Sequence, residues 1–230
     1  MSRSRRSTTR LAPLVCFLLA IGLPAGAHAA AVKVLALGDS LTAGYGLTHH
    51  EDGFVAVLQQ ALDRAGADAH VIDAGVSGDT SAGALARLDW ALGDDPAAAI
   101  VELGGNDALR GLPPAQMEHN IGAILDRLQV RHIPVLLSGM IAPPNMGAAY
   151  SQEFRAVFDR LSRRPGLIYD PFFLQDVATH DALVQDDHIH PNPAGVRIIV
   201  SRLTPEVVRL VDRARHAADA GPLPGTHAAK

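Results

Sequence analysis

Five short, uniformly apolar runs recur along the chain, at Val32–Leu37, Ala69–Ile72, Ala98–Leu103, Val135–Ser138 and Leu167–Tyr169, with stretches of helical period between them. A strand tolerates apolar residues at every position only when both of its faces are covered. That condition belongs to parallel sheets, whose crossover connections lay helices on the two faces. The pattern predicts an α/β fold, a three-layer α/β/α sandwich around a parallel sheet of about five strands. Helices are expected over Gly53–Ala65, from about Ser81 to Leu92, over Pro114–Val130 and over Ser151–Ser162. A last one follows Asn192-Pro193, where asparagine is a good cap and proline a good first helical residue. Thr204-Pro205 repeats that pattern and predicts a kink or restart. With no internal repeat and no long linker, residues 30–220 read as one domain, followed by a flexible tail over 221–230.

The chain opens with four arginines and no acid in Met1–Arg10, an apolar stretch from Leu11 to Leu23, and the small-residue site Ala27-His28-Ala29, which together read as a cleaved export signal over residues 1–29. The apolar stretch is shorter than the roughly 20 residues that a spanning helix needs. Removing 29 of 230 residues leaves 201, enough for one well-buried core. The single cysteine, Cys16, lies in the signal, so no disulfide is expected in the periplasmic or secreted product. Losing four positive charges takes the net charge from −4 to −8, which argues against a nucleic-acid partner. No helix shows a surplus apolar face, and this points to a monomer.

Ligands of parallel sheets bind beyond the carboxyl ends of the strands. Three polar turns, at Ser40, Ser77-Gly78 and Gly104-Gly105-Asn106, follow predicted strands there and should converge. Ser40, in Gly38-Asp39-Ser40-Leu41, is a candidate nucleophile, and Ser77 competes with it; alternatively Ser40 simply caps the next helix. No Gly-x-Ser-x-Gly elbow exists in the chain, which disfavours an ordinary α/β-hydrolase. Near the other end, Asp187 and His190 are spaced so that on a tight turn the carboxylate reaches the imidazole Nδ1 and leaves Nε2 for a serine. The same Asp186-Asp187-His188-Ile189-His190 run could instead be a solvated turn or supply metal ligands. Acyl transfer also needs donors for the developing oxyanion, each contributing roughly 3 kcal/mol. The Gly78 amide, the Asn106 carboxamide and the Ser40 amide are the candidates. Asp39, Asp79, Thr80 and Asp107 read as groups that hold these loops.

The four blocks Gly38-Asp39-Ser40-Leu41, Gly75-Val76-Ser77-Gly78-Asp79-Thr80, Gly104-Gly105-Asn106-Asp107 and Asp187-His188-Ile189-His190-Pro191 occur in order over nearly the whole chain that follows the signal. In this the chain resembles the SGNH hydrolases, also called the GDSL family. Ser77-Gly-Asp-Thr-Ser81, Leu85-Ala-Arg-Leu88 and Val101–Asp107 are similar to the bacterial periplasmic branch of thioesterases, lysophospholipases and arylesterases. The resemblance implies a flavodoxin-like sheet, Ser40 as nucleophile, His190 as base, Asp187 as its partner, and Gly78 and Asn106 with the Ser40 amide as oxyanion donors. It implies no metal and no cofactor. That branch usually has glycine where this chain has His188, whose side chain is expected to point to solvent.

Leu109, Leu112, Met140 and Ile141 lie in apolar loops near the same strand ends and are the candidate lining of an acyl groove. In the family the loop after the asparagine block borders the acyl site. The expected substrates are small-molecule acyl esters and thioesters, aryl esters and lysophospholipids, with transient contact to membrane lipid. Three rivals stand beside this reading: a carbohydrate acetylesterase, disfavoured by the single tryptophan Trp90; a metal-dependent phosphoesterase built on the Asp187 region; and a non-catalytic acyl-binding protein.

Overall fold

The computed structural model describes residues 30–219; the expected export signal and C-terminal tail lie outside the described residues. Five strands, β1 (Val32–Gly38), β2 (Ala69–Gly75), β3 (Ala98–Glu102), β4 (Val135–Ser138) and β5 (Ile168–Asp170), form one parallel sheet in the order β2-β1-β3-β4-β5. Every residue of β3 and β4 is buried, whereas the edge strand β2 alternates between buried and more exposed positions. Three of the five apolar runs thus form the interior strands β1, β3 and β4, and the other two the edges β2 and β5.

Eight helices connect and cover the sheet: α1 (Ser40–Ala43), α2 (Phe54–Arg64), α3 (Ser81–Ala86), α4 (Leu88–Ala91), α5 (Gly105–Leu109), α6 (Pro114–Val130), α7 (Ala148–Leu161) and α8 (Pro193–Asp219). Helices α2 and α8 pack together on one face, and α3, α6 and α7 on the other. Paired phenylalanines fill both interfaces. Phe54 meets Phe173 edge-on at 5.1 Å between ring centroids, and Phe154 meets Phe158 at 5.5 Å. No helix among the described residues is long and apolar enough to cross a membrane.

Two expectations need correction. The helix expected from about Ser81 to Leu92 is two short helices parted at Arg87, whose backbone leaves the helical region (φ −99°, ψ 3°) while its guanidinium is drawn inward to the Gly38 carbonyl at 3.0 Å and the Asp79 carboxylate at 2.6 Å. Helix α8 runs through Pro205 without restarting. One turn before the proline ring, the Thr204 hydroxyl donates to the Val200 carbonyl at 2.6 Å. The other end of α8 is as expected: the Asn192 side chain accepts the Ala194 and Gly195 amides at 2.9 and 3.1 Å.

The order β2-β1-β3 means that the chain leaves β1 to one side and later returns to the other, so the ends of β1 and β3 flank the point where the winding reverses. Helix α1 rests directly on the strand ends. A Cβ on Gly75 would lie 2.4 Å from the Ala43 amide nitrogen and 2.8 Å from its Cα, so the backbone itself would have to move. We expect Gly75→Ala to cost about 2 kcal/mol in chemical denaturation. Gly93→Ala, where a Cβ meets open space, should stay within about 0.5 kcal/mol of wild type. Equal effects of the two would contradict this packing.

Candidate active site

At the reversal point the Asp39 side chain is buried and accepts two hydrogen bonds, from the Leu41 amide at 3.0 Å and from the Asn106 carboxamide at 3.0 Å. The first makes Asp39, rather than Ser40, the cap of α1. The Ser40 hydroxyl is therefore free, and it meets His190 Nε2 at 2.9 Å. The second fixes Asn106 beside it. Burial pushes the Asp39 carboxyl above its usual range, against the opposing effect of the Leu41 and Asn106 donors.

His190 lies on the loop before α8. Its Nδ1 is 2.6 Å from Asp187 Oδ2, while Asp187 Oδ1 accepts the amides of Ile189 and His190, both at 3.0 Å. A carboxylate only accepts, so Nδ1 carries the proton and Nε2 is left to accept from the Ser40 hydroxyl. Partial burial alone would raise the Asp187 pKa, but the two amides and the imidazole outweigh it and hold the carboxyl at about 2. The turn that allows this contact requires φ +56° at His188, a left-handed conformation that favours glycine. As expected, the His188 side chain is largely exposed; it lies 3.5 Å from the exposed Asp181. Asp186 is exposed and makes no contact with His190. Both imidazole nitrogens of His190 are thus engaged by protein. Among the described residues no group of three or more His, Cys, Asp or Glu side chains could hold a metal ion.

The amides of Ser40 and Gly78 donate to no protein acceptor among the described residues. Gly78 has φ +85°, and its carbonyl accepts from Arg110 at 2.6 Å. Its loop is held from below in two ways. The buried Asp107 accepts the Ser81 amide at 2.8 Å and the Ser81 hydroxyl at 2.6 Å, and Asn120 donates to that hydroxyl at 3.0 Å. Asp79 pairs with Arg87, and Thr80 caps α3 through the Gly83 amide at 3.3 Å. Ser77 is exposed and meets neither imidazole nor carboxylate among the described residues. Of the four candidate lining residues, Leu109 and Ile141 are exposed, Leu112 is half-buried with its carbonyl bonded to the Tyr150 hydroxyl at 2.8 Å, and Met140 is buried.

Sequence reasoning missed Glu102, which is fully buried at the end of β3, opposite Gly38 in the ladder. Its Oε2 accepts the Thr42 hydroxyl at 2.9 Å and the Asp39 amide at 3.4 Å, and its Oε1 has no hydrogen-bond partner. Burial, and then the neighbouring Asp39 charge, push its carboxyl well above the ordinary range. The signal was available: Glu102 is the one acid in the otherwise apolar run Ala98–Leu103. Arg87 was also missed, although its block had been noticed.

Comparison with known proteins places the chain in a family. Residues 36–198 match the GDSL-like lipase/acylhydrolase family, and the chain belongs to that family, the SGNH hydrolases. Esterase TesA of Pseudomonas aeruginosa is 39% identical over 185 residues, covering 80% of this chain and 92% of that protein. Thioesterase 1/protease 1/lysophospholipase L1 of Escherichia coli is 36% identical over 185 residues, covering 80% and 87%. Among solved structures, AlinE4, an SGNH-hydrolase family esterase, is 45% identical and superposes with a TM-score of 0.66, covering 84% of this chain and 97% of that one.

Two outcomes test this electrostatic picture. A carboxyl whose folded pKa is raised binds more protons in the folded than in the unfolded state, so its burial lowers stability increasingly as pH rises above the usual 4.5. Glu102→Gln should therefore match wild type in thermal midpoint near pH 4.5 and gain on it steadily towards pH 8; a constant difference would mean that Glu102 is charged in the fold. Asp187 has the opposite sign, stabilising above its usual 3.8 and losing that contribution as pH falls to about 2. At the strained turn, His188→Gly should raise stability by no more than about 1 kcal/mol and leave ester hydrolysis within about twofold. Abolished hydrolysis in that variant, with hydrolysis spared in His190→Ala, would place the base at His188.

Proposed function

We propose that this chain, an SGNH carboxylic ester hydrolase, cleaves acyl esters, aryl esters, lysophospholipids and acyl thioesters by a serine acyl-enzyme mechanism. The hydrogen-bonded row Asp187–His190–Ser40, at 2.6 and 2.9 Å, carries the reading. His190 Nε2 takes the Ser40 proton as Oγ attacks the acyl carbonyl. The negative oxygen of the tetrahedral intermediate is held by the Ser40 and Gly78 amides and the Asn106 carboxamide. When the intermediate collapses, the imidazolium returns the proton to the leaving alcohol or thiol, leaving an ester on Ser40. Water, deprotonated by His190, then attacks that ester, and as the acid leaves the imidazolium returns the proton to Ser40 Oγ. Asp187 holds the Nδ1–H tautomer and stabilises the imidazolium; its low pKa keeps it ionised throughout.

The exposed Leu109 and Ile141, with Leu112 and Met140 behind them, support an apolar surface for the acyl chain and favour medium or long chains over acetate. The export signal supports a periplasmic or secreted product, one hydrolase domain over residues 30–220, acting as a monomer with transient contact to membrane lipid.

Hydrolysis of p-nitrophenyl esters from acetate to palmitate, with chelator present, tests the reading. Turnover should peak at medium or long chains and fall about 10⁵-fold or more in Ser40→Ala and in His190→Ala. Asp187→Asn should lose about 10³- to 10⁴-fold in kcat, and Asn106→Ala about 10²- to 10³-fold. Activity that survives Ser40→Ala would overturn the mechanism, and a peak at acetate would turn the substrate towards an aryl or sugar acetylester.

A further inference from the structure

We propose that Gln185 is a positioning residue that sets the separation of Ser40 and His190. The inference rests on the reading of those two residues as nucleophile and base. The Gln185 Nε2 donates to the Tyr45 carbonyl at 2.8 Å and to the Pro191 carbonyl at 3.1 Å. Its main chain also braces the base loop: its amide donates to the His190 carbonyl at 2.8 Å and its carbonyl accepts the His188 amide at 2.9 Å. On the other side, the Tyr45 amide donates to the Ser40 carbonyl at 3.0 Å, and the Tyr45 ring lies 4.8 Å from the His190 ring. A continuous hydrogen-bonded path therefore runs from the main chain of Ser40 through Tyr45 and Gln185 to that of His190.

Apart from the Ser40–His190 bond itself, the Gln185–Tyr45 bond is the one hydrogen bond between residues 40–47 and residues 184–191 among the described residues. Residues 186–189 are all exposed, so little packing fixes the base loop from outside. Gly46 leaves the space that the clasp needs. A Cβ there would lie 2.1 Å from Gln185 Oε1 and within 3.2 Å of its Nε2. Tyr45 and Gln185 are 140 residues apart, so the carboxamide fastens two segments that only the fold brings together.

The test uses the mature chain with Gln185→Met, Gly46→Ala, their combination, and Ser40→Ala as a control. The methionine keeps the length and removes the donor; the alanine displaces the carboxamide and, at φ +75°, also strains the main chain beside Tyr45. kcat and KM for a medium-chain p-nitrophenyl ester are measured per active serine, counted by titration to completion with a p-nitrophenyl phosphonate. Each single variant should lower kcat by about 10- to 30-fold, the effect of two neutral hydrogen bonds, with KM within about twofold. The rate of phosphonylation of Ser40 should fall by the same factor. The double variant should be no slower than the slower single one, because both remove the same contact.

Gln185→Met with kcat per active site within twofold of wild type overturns the proposal, even where its thermal midpoint falls, since that is what a purely structural role predicts. If Gln185→Met does not fold, Gln185→Glu, which keeps the length and replaces the Nε2 donor by an acceptor, decides by the same kcat criterion. Ser40→Ala separates the two levels: an inactive control with unimpaired Gln185 variants defeats only the clasp, whereas an active control defeats the serine mechanism beneath it.

Discussion

A single buried carboxylate spans the gap where the winding of the sheet reverses. Asp39 reaches from the end of β1 to Asn106 beyond the end of β3, and it also caps the short helix that carries Ser40. Burying a carboxylate is expensive unless donors replace the water it loses, so the fold is bound to keep both of these hydrogen bonds. The placement of Ser40 and of Asn106 follows from the same atom pair. Had Ser40 itself capped α1, its hydroxyl would have been spent on an amide and the contact with His190 lost. The glycines at the strand ends belong to this arrangement: a Cβ on Gly38 would stand 2.0 Å from the Thr42 hydroxyl and 2.8 Å from Glu102.

Glu102 adds a second carboxyl to the same dry region, and the balance of charge there is decided by burial. Two ionised carboxylates so close would each lose hydration and repel the other. Asp39 has an amide and a carboxamide donor; Glu102 has a hydroxyl, one long amide contact and an unpartnered oxygen. The carboxyl with fewer donors, Glu102, is the one pushed further above the ordinary range, and it still fastens Thr42 and the Asp39 amide. The base loop follows the opposite rule. Asp187 is partly exposed, receives three donors from its own turn, and holds its charge firmly, as a partner for an imidazolium must.

What could be read from the sequence was local. The runs ending at Leu37, Leu103 and Ser138 announced interior strands because such strands must be apolar on both faces, and the three-residue spacing of Asp187 and His190 is itself a contact within one turn. Ser40, Gly78 and Asn106 stood out because each follows a strand end. Glu102, Arg87 and Gln185 act across 60 or more, 49 and 140 residues respectively, and no periodicity reports a partner at such distances. Arg87 explains the misread helix as well: in sequence it is a good helix former, while in the fold its guanidinium ties the end of β1 to the Gly78 loop and the helix parts at that residue. At Pro205 the expected restart does not occur, and α8 continues as one helix.

The exposed apolar residues give the polar apparatus its setting. Tyr45 and Ile189 flank His190, Val76 precedes the Gly78 turn, Leu109 ends the helix that begins at Gly105, and Ile141 follows Met140, whose methyl lies against Gly105. Of the seven large exposed hydrophobic side chains among the described residues, only Trp90 and Val130 lie away from these loops. An acyl chain laid across such a rim would displace water from the mouth while the amides of Ser40 and Gly78 remain unspent. Hydrogen bonds and charges are stronger in a site so dried, and the gain falls on the step that creates an oxyanion. On the proposed reading the exposed apolar residues and the buried acids serve one end: the first would keep water from the reacting carbonyl, and the second would hold the donors that take its place.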